Sequence, residues 1–240
     1  MISAYITNLG KYNEGEFKGE YLTLPATRED VKALLKRIQV DRVEYEEIII
    51  TDYEIEVDNL YRHLGEYESI DELNYLAGLL ENLSKQEKEK FESALALGEY
   101  TGCLESIINL AQNLHCYEVY PEVRNEEELA RYLIEELKYE EIPERLEHYF
   151  DYELYGQSEH INIGGDFING EYVFLNNNET FTEYYKGRHI PDQYKIFAYH
   201  DKIPIKEQLK QYTKTAIQNN NQPRDKMSQR HPCHQNSQEL

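Results

Sequence analysis

Tyr45-Glu-Glu-Ile-Ile-Ile-Thr-Asp-Tyr-Glu-Ile-Glu-Val57 is the clearest strand-forming stretch of the chain. It is rich in β-branched residues, and from Asp52 onward acids alternate strictly with apolar residues. Working outward, residues 2–7 read as a short strand, residues 8–15 as the loop after it, and residues 20–24 as a second strand. Thr27 then N-caps a helix, with Asp30 three residues on and Val31, Leu34, Leu35 and Ile38 at helical spacing. Strand, helix and strand predict a small α+β domain over residues 1–60.

Beyond it the pattern turns helical, predicting a middle domain over residues 61–115. Ser69 with Glu72 forms a capping box ahead of Leu73, Leu76, Leu79 and Leu80. Ser84 with Glu87 opens a second helix through Phe91, Leu95 and Leu97, and residues 103–114 form a third, with breaks at Gly98 and Gly102. Residues 116–185 return to α+β. Residues 117–120 read as a strand, and Asn125 caps a helix that places Leu129, Leu133, Ile134 and Leu137 on one side. Pro143 opens a further helix through Leu146, Tyr149 and Phe150, and residues 161–168 and 172–175 read as a hairpin around Asn169-Gly170. Residues 180–197 add local structure. The remainder, 186–240, is a basic and partly disordered tail, with one short helix at 206–217.

Charge is divided unequally between body and tail. Residues 1–185 hold 41 Asp and Glu against 15 Lys and Arg, a net −26, whereas residues 186–240 hold 5 against 10. A folded body that tolerates such self-repulsion sacrifices stability, which invites a functional reason. It repels nucleic acid and anionic membranes and favours surfaces rich in Lys and Arg, or cations. There is no charged leader with an apolar core, no apolar run of membrane-spanning length, and only three scattered cysteines, Cys103, Cys116 and Cys233. The expectation is a cytoplasmic protein with reduced thiols.

The acids fall in clusters. Alternation puts Asp52, Glu54, Glu56 and Asp58 on one strand face, about 6.5 Å apart, which is of the order of the spacing between phosphates on a nucleic-acid strand. On these residues alone an edge strand that uses charge against aggregation is the preferred reading. Further groups are Glu44, Glu46 and Glu47; Glu66, Glu68, Asp71 and Glu72; Glu126, Glu127 and Glu128; and Glu135, Glu136, Glu140, Glu141, Glu144 and Glu147. At one charge per roughly 1.7 Å of duplex, 26 charges match about 44 Å of DNA. A solubility surface or simple drift accounts for the composition more blandly.

Other chemistries find little support. There is no EF-hand loop, nucleophile elbow, phosphate-binding loop or zinc-protease motif, and no carboxylate pair stands out among so many. His115-Cys116 diverge, and His231-Pro-Cys-His234 lies in the tail. No enzyme, metal or cofactor is expected. Of the 22 tyrosines, Tyr61, Tyr67, Tyr75, Tyr132, Tyr139, Tyr149, Tyr152 and Tyr155 can fill small cores while keeping a polar tip wet or form dimer or partner contacts, and core filling is the preferred reading for most.

Three blocks carry a resemblance: Ile2-Ser-Ala-Tyr-Ile-Thr-Asn-Leu-Gly-Lys-Tyr12, Tyr45-Glu-Glu-Ile-Ile-Ile-Thr-Asp-Tyr53 and Leu64-Gly-Glu-Tyr-Glu-Ser-Ile-Asp-Glu-Leu-Asn-Tyr-Leu-Ala77. Together they resemble ArdA antirestriction proteins of conjugative plasmids and transposons, and the likeness runs on to the hairpin near Tyr172. The resemblance implies an elongated chain of three small domains, a homodimer formed through the third, and mimicry of bent duplex DNA. Its implied partner is a type I restriction-modification enzyme whose DNA-binding groove the protein fills. An acidic scaffold or chaperone-like module for basic proteins is the rival from another class, and a two-carboxylate hydrolase is a third reading.

Overall fold

The computed structural model describes residues 1–41 and 45–197, which form an α+β body. Strands β1 (Ile2–Asn8), β2 (Gly19–Leu24) and β3 (Ile48–Ile55) make an antiparallel sheet in the order β2-β1-β3. Because β1 is paired on both sides, nearly every residue along it is buried. The Ile48–Thr51 run hides a phase change. Tyr5 pairs with Asp52 but Ile6 pairs with Ile50, so Thr51 is an extra residue, a β-bulge. Before it Ile48 and Ile50 face the core; after it the odd-numbered Tyr53, Ile55 and Val57 do, leaving Asp52, Glu54, Glu56 and Asp58 exposed. The strand itself stops at Ile55, short of the last two acids.

The segment expected as a loop after β1 contains one helical turn, α1 (Leu9–Asn13). Buried Asn8 explains it: its Oδ1 accepts from the Lys11 N–H at 3.0 Å, and its Nδ2 donates to the carbonyls of Ile38 and Gln39. Helix α2 (Arg28–Arg37) starts on the expected Thr27–Asp30 capping box. Helices α3 (Ile70–Glu81), α4 (Lys85–Leu97) and α5 (Leu104–Gln112) follow. Ser84 and Glu87 cap α4 reciprocally. Ser69 caps α3, but Glu72 makes no return bond; its carboxylate accepts instead from the Tyr185 hydroxyl at 2.6 Å. One continuous buried cluster runs from Ile2 through α2, α3, α4 and α5 to Tyr117.

Strands β4 (Tyr117–Tyr120), β5 (Asp166–Ile168) and β6 (Glu171–Leu175) form a second sheet, ordered β4-β6-β5. Its small core is Tyr120, Val123, Leu129, Leu133, Tyr172 and Phe174. The helix capped by Asn125, α6 (Glu126–Arg131), runs into a π-turn at Tyr132–Glu136. That wider turn rotates Leu137 away from Leu129 and Leu133, so it is 38% exposed rather than on the buried side. The helix expected from Pro143 through Phe150 is only one turn, α7 (Glu144–Glu147), because Leu146 and Tyr149 find no core. Asp151 accepts from the Leu154 N–H at 3.0 Å and starts a new helix, α8 (Tyr152–Ile163), which takes in Ile161–Ile163, expected as strand. Gly156 lets α8 press on α6: a Cβ there would overlap the Glu126 carbonyl.

Residues 176–197 carry little regular structure beyond a turn at Asp192–Tyr194, yet Tyr185 and Ile196 are buried in the first cluster. The helix expected at 206–217 and the tail beyond it lie outside the described residues.

Candidate partner-binding acidic surfaces

Two surfaces gather the predicted carboxylates. The first lies on β3, the edge strand of its sheet. The Ile50 N–H donates to the Glu66 carbonyl at 2.9 Å, and the Tyr53 hydroxyl donates to the Gly65 carbonyl at 2.8 Å. The loop bearing Glu66 and Glu68 is thereby laid along the free edge, beside Asp52 and Glu54. Glu68 holds that loop by accepting from the Gly65 N–H at 3.0 Å. Asp52 accepts from the Tyr21 hydroxyl at 2.6 Å, and this bond pushes the phenol up to about 12. Burial, with Glu68 nearby, raises Tyr53 as well. Glu56 lies 2.8 Å from the Met1 ammonium, whose hydrogen bond and charge hold its carboxyl below the usual range. The Asp58 N–H donates to Glu92. Glu46 and Glu47 are exposed just before β3, and Glu44 lies outside the described residues.

Asp71 does not belong to this surface. It is 6% exposed, and its Oδ1 accepts the N–H groups of Ile196 and Phe197 at 2.7 and 2.6 Å. Glu72 is half-buried under Tyr185. Both acids stand in the first turn of α3, where the helix dipole favours them, and both are engaged by the chain's own residues.

The second surface is built by α6, the π-turn and α7. Glu126, Glu127 and Glu128 occupy the first turn of α6; Glu128 accepts from the Arg124 N–H at 2.8 Å, and Asn125 caps the Glu128 N–H. The loop after the π-turn folds over so that Glu135, Glu140, Glu141, Glu144 and Glu147 rim one depression of about 490 Å³, floored by Ile134, Ile142 and Tyr152. A second depression meets it at Glu135 and adds Glu122, Glu128 and Glu136. Thirteen residues of sequence, 135–147, thus close into one acidic basin continuous with the start of α6.

Cations are sparse there. Arg131 lies between Glu127 and Glu135, at 3.0 and 3.3 Å, with its guanidinium 4.2 Å over the Tyr152 ring. Those carboxylates raise its already high pKa. Lys138 also lines the basin. Among the predicted carboxylates, Glu56, Glu127 and Glu135 make ion pairs. Other acids are neutralised locally: Glu20 by a two-pronged Arg37 at 2.7 and 2.9 Å, and Glu14 by Lys11 at 3.0 Å. Sequence reasoning missed Glu122, Arg131 and Lys138. Arg131 was detectable from its position four residues after Glu127 and four before Glu135.

The family model described as Antirestriction protein (ArdA) matches residues 4–174. The chain belongs to the ArdA family. A comparison with curated proteins finds no match. The family span holds both acidic surfaces, since it runs from β1 to Phe174 in β6; residues 175–197 lie beyond it. The protein is accordingly an antirestriction protein, of an inhibitor family rather than an enzyme family. No helix among the described residues is long and apolar enough to cross a membrane.

Proposed function

We propose that this chain inhibits type I restriction-modification enzymes by presenting carboxylates where the enzyme expects DNA phosphates. The observation that carries the reading is the basin of Glu135, Glu140, Glu141, Glu144 and Glu147 in a chain of the antirestriction family. Acids closed around a shared depression on an apolar and aromatic floor offer a Lys- or Arg-rich groove several charge-assisted contacts at once. Docking releases the counterions held by that groove, so affinity falls as salt rises.

On this reading residues 1–60, 61–115 and 116–185 contribute successive parts of the counterfeit, and two chains associate through the last. Leu154 and Ile161, seven residues apart on α8 and 64% and 78% exposed, support self-association there. The test is displacement of labelled duplex from a purified type I enzyme, with polylysine and histones as competitors for the inhibitor. Mimicry predicts displacement that these basic polymers relieve only weakly. Equal affinity for all three partners would favour a general acidic scaffold instead.

A further inference from the structure

Residues 176–197 lie beyond the family span yet are stitched into the body through their main chain. At the C-cap of α5, Asn113 donates to the Thr182 carbonyl at 2.8 Å and accepts from the Thr182 N–H at 2.9 Å. One turn earlier Asn109 does the same for Tyr185, with both bonds at 2.8 Å. On α3, Asp71 takes the N–H groups of Ile196 and Phe197, and Asn74 donates to the Tyr194 carbonyl at 3.2 Å. These four side chains are 0–6% exposed. Buried polar groups of this kind are costly unless bonded, and the amide oxygens of Asn109 and Asn113 find their partners in the crossing segment. Paired donor and acceptor bonds to one residue's main chain are how a strand is read when it adds to a sheet edge; here Asn109 and Asn113 make such pairs, while Asp71 and Asn74 of α3, and Arg28 of α2 to the Lys195 carbonyl, bond single main-chain groups.

Side chains add selectivity at three points. Tyr185 and Ile196 are 3% and 2% exposed, and Tyr75 meets both Tyr185 and Tyr194, with ring centres 5.8 and 5.2 Å away. The Tyr194 ring lies on Gly78, where any Cβ would overlap it. Between the anchors Lys186, Gly187, Arg188 and His189 are exposed, as are Asn177, Asn178, Glu179 and Thr180 in the connector from β6.

We propose that the face of α3 and α5 is a binding groove for an extended polypeptide, closed here by the chain's own residues 181–197, and that the same segment of a second copy occupies it in trans. The groove reads main chain plus two tyrosines and an aliphatic residue, and this segment is a sequence that fits it. Exchange remakes every anchoring bond; the change falls on the exposed polar connector, as in domain swapping. The inference is independent of the acidic surfaces.

The test uses full-length protein carrying Tyr185→Ala and Ile196→Ala, which weakens the cis segment and leaves the groove intact. A fluorescent synthetic peptide of residues 176–197 is titrated by anisotropy. Saturable binding is expected, at least about tenfold tighter than to the wild type, whose own segment competes. Adding Asn109→Ala and Asn113→Ala should abolish it. No saturable binding to a variant of wild-type helical content, or binding indifferent to the two asparagine changes, overturns the proposal. If the double variant does not fold, Ile196→Ala alone is judged by the same two criteria.

Discussion

Residues 1–115 and residues 116–185 spend their acids differently. The first stretch holds 23 Asp and Glu against 11 Lys and Arg; the second, much shorter, holds 18 against 4. The first rests on one broad aliphatic cluster spanning a sheet and four helices, whereas the second has a core of six residues, half of them aromatic. Among the described residues the carboxylates held below their usual range, Glu14, Glu20, Asp30, Glu56 and Glu87, all belong to the first stretch, where Lys11, Arg37, the Thr27 and Ser84 caps and the Met1 ammonium engage them. In the second stretch acids are gathered around a basin instead. Charge used to hold a fold is spent inside the molecule; charge left for a partner destabilises the fold that carries it. The aromatic core suits that compromise, since Tyr120 and Tyr172 fill volume while burial raises their phenols and keeps them neutral.

The largest effect should come from emptying the basin. Replacing Glu135, Glu140, Glu141, Glu144 and Glu147 together by Gln should weaken enzyme binding roughly 100-fold at low salt. The same number of changes among Glu14, Glu16, Glu20, Glu29 and Asp30 should leave binding near wild type and show up as lost stability. Equal losses of binding from both sets would erase the distinction between the two regions.

Next comes Gly156→Ala, which forces α8 off α6 and should cost about 1–3 kcal/mol. Hydrogen exchange should report faster opening in residues 116–175, with α3 and α5 unchanged. Tyr185→Phe should cost about 1 kcal/mol in urea unfolding, through the lost bond to Glu72.

Acidification separates the regions by sign. The depressed carboxylates stabilise the first region fully above the unfolded carboxylate range, near pH ~4.3, and lose that contribution as pH falls through their folded values. The second region carries the denser net negative charge, and lowering that charge relieves self-repulsion. Amide exchange followed from pH 6 to pH 3.5 should therefore show α2 and α4 losing protection before α6 and α8; the reverse order would count against the comparison. Smallest of all, any one Glu→Gln change in the basin should alter binding within about twofold.

Local chemistry was legible in the sequence and remote chemistry was not. Thr27, Ser84 and Asn125 were readable as caps because the cap and the N–H it accepts lie within one turn, and the Asn169-Gly170 hairpin is equally local. Helix α8 went unseen because its apolar residues form no stripe: Leu154 and Ile161 face outward, and Ile161 and Ile163 mimic strand alternation. The ordering of residues 181–197 was invisible for a different reason. It is imposed by Asp71, Asn74, Asn109 and Asn113, at least 69 positions away in sequence. Within the candidate site the acidic runs were readable. What the sequence hid was the convergence of Glu135 to Glu147 on one basin, the seating of the Glu66 loop on β3, and the withdrawal of Asp71 into the body.

The central claim is that side-chain acids substitute for phosphates. Its most direct test is the dissociation constant for a type I enzyme, measured against sodium chloride for the wild type and the five-Gln basin variant. A steep linear loss of log affinity with log salt, made clearly shallower in the variant, is the predicted result. A wild-type affinity that salt leaves unchanged, or a slope that the variant shares, would contradict it.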